Sequence, residues 1–391
     1  MKKILSVACI IIASCAMLLA MGAGETPADE LTGVAALARD GEKLTHDQLV
    51  LKASDETGVF RVYGNTSRIT TAVEAFGKLY NIQIESSNLK DSEIYEKLEI
   101  EIDGKINGAD MVMIQDGAQL KSQMVSTGNL VNFVPLSVKG YVDADDQNPL
   151  VQQYINKLFI WNNKGDSVKN FTNVWQFTEP EMKGNVIFKS PELEQVNMNF
   201  LIMCTSDKWA GKLAQAYKNL YGKDIDLGSY KNAGYKWVAE FLGNCTFIKS
   251  DTTIAEEISQ DTAAGKAGLF VLSKLRSSSV LSDNLTVGEY RAVETGTAIE
   301  PFAGFMYPMY AMITSNATRP YTAMLFIEYL MTADGFQPWG KSIGAYSGNG
   351  SLPAKEGDLP LSTWKDCLVM EDPDFILSNY EDVSSFVIKN L

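Results

Sequence analysis

The chain has 391 residues, 46% of them apolar and 21% charged, an ordinary globular balance with enough apolar material for one or two cores. Its formal net charge of −14 becomes −16 if Lys2 and Lys3 leave with a leader, and such a surface repels phosphate backbones and anionic lipid, which argues against nucleic-acid binding. The single histidine, His46, sits in a polar stretch before the first strand, so Ser-His-Asp catalysis and His-ligated zinc are all but removed.

Met1-Lys-Lys followed by the uncharged run Ile4 to Met21 reads as a Sec export signal, with cleavage expected after Gly22. Ile12-Ala-Ser-Cys15 also has lipobox form, although apolar Ala16 to Met21 would then stand where a polar spacer is expected. An uncleaved anchor is the remaining alternative, since the run approaches the ~20 residues that span a bilayer. In each case the chain is exported, to a periplasmic or extracellular location, with a lipid anchor through Cys15 as the variant. Cys9 and Cys15 belong to the leader, leaving Cys204, Cys245 and Cys367, an odd count that allows at most one internal disulfide.

Glu25 to Gly58 is polar, with weak helical stretches at Leu31–Arg39 and Asp47–Lys52. The first strong strand is Phe60 to Tyr63, and Asn65-Thr-Ser-Arg68 leads from it into a helix with Ile69, Val73 and Phe76 on one face. Ile82–Ile84 is a second strand. A helix opened by Ser92 carries Ile94, Leu98 and Ile102 and ends at Gly104. Met111–Ile114 is a third strand, broken by Gln115-Asp-Gly117, and a helix through Leu120 and Met124 runs to Gly128. This alternation predicts a mostly parallel sheet with right-handed crossovers, whose ligand sits beyond the carboxyl ends of the strands. Farther on come a strand at Leu158–Trp161, helices at about Leu193–Met203, Lys208–Tyr221, Tyr230–Leu242 and Thr252–Ala264, and a strand at Ala267–Leu272. Met309–Ile313 reads as a short buried strand. Asn316 or Thr318 is the expected cap of a helix with Pro320 in its first turn, and Thr332-Ala-Asp-Gly restarts a second helix.

Several stretches, in this order, resemble the extracellular solute-binding proteins of bacterial ABC importers. Leu158-Phe-Ile-Trp161 with Asn162-Asn163 is similar to their first crossing strand, and Val174-Trp through Lys189-Ser190-Pro191 to their entry into the second lobe. Glu300-Pro-Phe-Ala-Gly304 matches an xPxxG ligand loop, and Asn316 to Trp339 the helix that follows. The resemblance covers about Val59 to Pro353. It implies the type II periplasmic-binding-protein fold: two α/β lobes, each a mostly parallel sheet flanked by helices, joined by two crossing strands. The divisions would be 1–22 leader, 23–57 polar helical segment, 58–157 first lobe, 158–297 second lobe, 298–332 return to the first lobe and 333–391 C-terminal helices on the second. The second crossing is expected near Arg291–Glu300.

Candidate ligand contacts follow from the strand ends and from this resemblance. Thr66, Ser67 and Arg68 lie where a helix N-terminus offers free amides and Arg68 a donor fork; the plain alternative is a Ser/Thr cap beside a solvated arginine. Gln115 and Asp116 could bond a hydroxyl or amine, or simply form an Asx turn with Gly117. Trp161 could be a stacking platform or a core tryptophan, and Glu300, Phe302, Phe305 and Tyr307 an aromatic wall with one carboxylate or packing at the lobe junction. Asn163, Ser190, Ser273, Lys274 and Arg276 complete the set. Iron-binding members of the family carry adjacent tyrosines where Ser273, Lys274 and Arg276 stand here, which speaks against a tyrosine-ligated ferric site. Asp143 to Asn148 lacks the EF-hand glycine and the twelfth-position Glu, so it reads as a solvated acidic loop.

The expected protein is therefore a monomeric binder of a small polar solute, without metal, cofactor or catalytic residues, delivering to a permease in the inner membrane. A secreted hydrolase using a carboxylate pair is the rival, and the same fold feeding a sensor receptor is a third possibility.

Overall fold

A computed structural model describes residues 31–162, 170–276 and 299–391, together with the backbone of 285–286. Helices α1 (Gly33–Gly41) and α2 (His46–Ser54) precede β1 (Phe60–Gly64). Then come α3 (Arg68–Tyr80), β2 (Ile84–Asn88), α4 (Asp91–Asp103) and β3 (Met111–Ile114), the strand–helix alternation that the apolar spacing predicts. After β4 (Leu130–Val131), the long β5 (Val151–Asn162) contains the expected 158–161 strand but begins well before it. β6 (Val186–Lys189), α5 (Gln195–Cys204), α6 (Asp207–Tyr221), α7 (Ala233–Asn244), β7 (Cys245–Ile248), α8 (Asp251–Ile258) and β8 (Ala267–Val271) follow. The short β9 (Leu285–Thr286) and the long β10 (Gly304–Thr314) come next. The chain closes with α9 (Pro320–Leu330), α10 (Ala333–Gly340), β11 (Ala345–Ser347), α11 (Leu361–Cys367), β12 (Val369–Met370) and α12 (Pro373–Lys389).

Strand order along the sheet is β2-β1-β3-β10-β5-β8-β6-β7. β1 pairs in parallel with β2 and β3, and β10 adds antiparallel to β3. β6 likewise pairs in parallel with β7 and β8, and β5 adds antiparallel to β8. The two halves thus repeat one topology, and each takes its fourth strand from a long element that also pairs with the other half, β5 against β10. The expected crossings are these two strands. The second is Gly304–Thr314; of the expected stretch 291–300, residues 291–298 lie outside the described residues.

Two readings of local pattern and one division taken from the resemblance fail. The cap of α9 is Arg319, without a side-chain bond; buried Asp110 fixes the entry to the helix, accepting from Thr318 N at 2.6 Å and Arg319 N at 3.0 Å. Glu56 adds a second long-range cap, taking the amides of Tyr321 at 2.9 Å and Thr322 at 2.8 Å. After β3 the chain makes one helical turn at Gly117–Gln119 and a π-helical segment at Leu120–Val125, not an α-helix to Gly128. The assignment of 333–391 to the second lobe fails at its start, because Phe336 and Trp339 of α10 are buried in the same core as Phe60, Phe76 and Phe326 of the first half. α12 does pack its Ile376, Val383 and Val387 into the second-half core. Cys204, Cys245 and Cys367 are all free, and Asp143 and Asp146 of the acidic loop pair with Lys365 at 2.9 and 3.3 Å.

Gly304 opens β10 opposite Leu158 of β5, at φ +151, and a Cβ there would stand 2.1 Å from the Lys157 carbonyl oxygen. Gly304→Ala should therefore cost on the order of 3 kcal/mol, seen as a lower urea midpoint with little change in slope.

Candidate functional site

The carboxyl ends of β1 and β3 in one half meet the carboxyl end of β8 in the other across the crossing strands, around a cavity of about 220 Å³. Asn65, Thr66, Ser67 and Arg68, in the loop from β1 into α3, form one wall with Gln115 from the end of β3. Glu194, just before α5, faces them with Ser273 and Lys274. Ile155, Tyr307 and Met309 make the floor. Tyr307 stands directly opposite Ile155 in the β5–β10 ladder, and Met309 lies two residues along, so all three share one sheet face. Trp339 and Ala345 close one end.

Arg68 is the first residue of α3 and is half-buried. Its Nη2 donates to Ser342 Oγ at a long 3.5 Å, and among the described residues it forms no ion pair. Burial lowers its pKa; a guanidinium nonetheless stays charged, so the cavity wall holds a cation with unused N–H groups. Asp91 ties the two first-half loops together, accepting from Asn65 Nδ2 at 2.9 Å and Gln115 N at 3.1 Å. Burial lifts Asp91 above the usual carboxylate range, with those amides opposing. Asn65 Oδ1 is buried and accepts no hydrogen bond among the described residues.

On the opposite wall, Glu194 is held by lysines. Lys157, fully buried in β5, bonds Glu194, Asn197 Oδ1 at 2.9 Å and Asp251 at 3.3 Å, and Lys189 reaches Glu194 at 3.0 Å. Burial alone would lower the Lys157 pKa, but Asp251 and Glu194 overcome it and leave the pKa raised. For Glu194, burial raises and the two lysines lower, with a net fall. The cluster of Lys157, Lys189, Glu194 and Asp251 is charge-balanced, and Arg68 brings a cation to the facing wall.

Of the residues singled out from sequence, Thr66, Ser67, Arg68, Gln115, Ser273, Lys274 and Tyr307 share this cavity. Asp116 does not. It adopts a left-handed conformation at φ 67, caps the Gly117 turn through Gln119 N, and lines a neighbouring cavity. Trp161 is fully buried in the second-half core, edge-on to Phe171 at 5.3 Å, where no solute can stack on it. Phe302 is equally buried among Phe200, Trp209 and Trp237. Glu300 is exposed and away from the cavity lining, accepting from Asn219 at 2.9 Å, because β10 starts only at Gly304. Ser190 is also away from the cavity lining, its Oγ accepting from Glu192 N at 3.3 Å. Asn163 and the side chain of Arg276 lie outside the described residues.

Sequence reasoning missed Glu194, Ile155, Met309, Trp339 and Ala345. Glu194 had a signal, since it follows β6 and precedes a helix as Asn65 follows β1. The others depend on strand pairing and on the packing of α10.

No family model and no curated protein sequence matches the chain. Solved structures do. Iron-bound HitA from Pseudomonas aeruginosa is similar at a TM-score of 0.62 and 12% identity, over 85% of this chain and 99% of that one. The ferric binding protein from Campylobacter jejuni gives 0.55 and 13% over 85% and 99%. The substrate binding protein of the ABC transporter from Agrobacterium tumefaciens gives 0.59 and 12% over 87% and 95%. Sheet topology, crossing strands and these likenesses agree: the chain has the two-lobed α/β fold of the type II periplasmic binding proteins.

Proposed function

We propose that the chain is the exported solute-binding component of an ABC importer. It captures a small polar solute bearing an anionic group between its lobes and hands it to a membrane permease. The observation that carries this is Arg68, a half-buried cation with no carboxylate partner among the described residues, in a cavity built from strand-end loops of both lobes. An anion there would gain charge-assisted bonds from Arg68 and from the hydroxyls of Ser67 and Ser273. Each lobe supplies part of the contacts, so the solute favours whichever arrangement lets both reach it. Two of the neighbours are ferric-binding or iron-bound by name. Among the described residues of this chain the cavity holds one tyrosine, and no group of three His, Cys, Asp or Glu is placed to hold a metal ion.

In this cavity the hydrolase alternative fares worse, because Glu194 is the one carboxylate among its described lining residues and two lysines occupy it. A general acid–base pair needs a second carboxyl facing the same substrate.

The test is native mass spectrometry of the exported protein to find the solute, followed by small-angle scattering with and without it. The solute should carry a carboxylate, phosphate or sulfonate, compact the molecule and raise its melting temperature by mass action. An unchanged scattering profile at saturation, or steady turnover of the solute, would sink the proposal.

A further inference from the structure

Beside the Arg68 cavity a larger one, about 400 Å³, opens on the same seam between the lobes. Asp116, Gln119 and Gln123 of the first lobe face Gln195, Asn199 and Tyr380 of the second across it. Asn199, fully buried, spends its amide nitrogen on two acids, donating to Asp116 Oδ1 and Glu371 Oε1 at 3.1 Å each. Sharing one nitrogen places those two oxygens within about 6 Å of each other, close enough for one carboxyl to oppose ionisation of the other. Glu371 Oε2 is buried and accepts no hydrogen bond among the described residues.

The charges around the pair offer no relief. Asp91 approaches from α4 as a further carboxylate, while Tyr95 from α4 and Tyr307 and Tyr310 from β10 face the pair with hydroxyls that burial keeps neutral, and Tyr95 Oη is buried with no hydrogen-bond partner among the described residues. Glu381 lines the same cavity from α12. The nearby cation, Lys121, is engaged with Asp374 at 2.6 Å on the exposed rim, a second contact across the seam. Among the described residues neither Asp116 nor Glu371 has an ion-pair partner.

We infer that Asp116, Asn199 and Glu371 form a proton-dependent latch: with protons bound, the amide holds the lobes together along this seam, and with both acids ionised, their repulsion opens it. The sign follows from the direction of the shifts. Burial, helped for Glu371 by the charge of Asp116, outweighs the Asn199 amide and the backbone N–H groups that favour the ionised carboxyls, and lifts Asp116 to about 6 and Glu371 to about 8. The closed seam therefore binds protons more tightly than an opened, solvated one. It is fully favoured below the ordinary carboxylate range and lost as pH rises through about 6 and then about 8.

The test uses the solute-free protein, so it fails or succeeds independently of any cargo. The radius of gyration from small-angle scattering, followed from pH 5 to pH 9, should increase for the parent across that interval. Glu371→Gln keeps the shape and one acceptor but cannot ionise, so it should stay compact to pH 9. Asp116→Asn should do the same, and either variant suffices if the other fails to fold. A parent radius independent of pH, or folded variants that expand as the parent does, would overturn the latch.

Discussion

Arg68→Ala should weaken capture of the co-purifying solute by roughly 10- to 100-fold, the cost of deleting a charged hydrogen-bonding partner of about 1.5–3 kcal/mol. The melting temperature of the empty protein should barely move, because the side chain makes one long bond, at 3.5 Å, and no ion pair among the described residues. Arg68→Lys should recover only part of the affinity, since an ammonium replaces the planar fork with a point charge. Titration calorimetry on both variants separates the outcomes. If Arg68→Ala binds like the parent, the anion does not sit at this wall. If affinity and melting temperature fall together, Arg68 is structural.

Lys157→Met should have the opposite profile, with stability suffering first. The ammonium is fully buried in β5 and faces Glu194, Asp251 and Asn197. Removing it leaves two carboxylates sharing Lys189, which reaches them at 3.0 and 3.7 Å. Breaking a buried ion pair from one side typically costs about 3–5 kcal/mol. Because the pKa of Glu194 is depressed in the folded chain, its favourable contribution is present above the ordinary carboxylate range and lost as pH falls. The difference between parent and variant, read from urea midpoints, should therefore be largest near neutrality and shrink in acid. A constant difference across pH would mean that lost packing, and not charge, is responsible.

Much of the first lobe and of its cavity wall was legible in the chain. The period-3.6 pattern of Ile69, Val73 and Phe76 after a short apolar strand locates the β1-to-α3 turn, and the strand-end rule then points at Thr66 to Arg68 and Gln115. What local pattern cannot supply is the side of a strand that faces the ligand when both sides are buried. β5 and β10 are almost wholly buried along their length, so Trp161, Tyr307 and Phe302 looked alike as aromatics near a crossing. Pairing sends Tyr307 to the cavity floor and Trp161 into the core, while Phe302, ahead of the start of β10, packs among Phe200, Trp209 and Trp237. Glu300 was misplaced for a related reason, since a shift in where β10 begins moves every residue before it off the interface. Long-range caps such as Asp110 on the start of α9 leave no local trace at all.

The exchange of fourth strands between the lobes also constrains how the molecule can be made. β3 presents an unpaired edge until Gly304 to Thr314 has been synthesised and threaded beside it, and Phe336 and Trp339 must arrive before the first-lobe core is closed. The amino-terminal half therefore cannot mature on its own, however complete its β1-β2-β3 unit looks. Its contacts join parts of the chain far apart in sequence, and loop closure must precede the gain from making them. Folding should be slow and late, and the emerging polypeptide should remain extensible until nearly its whole length is present, the condition under which a chain can still be threaded through a narrow channel.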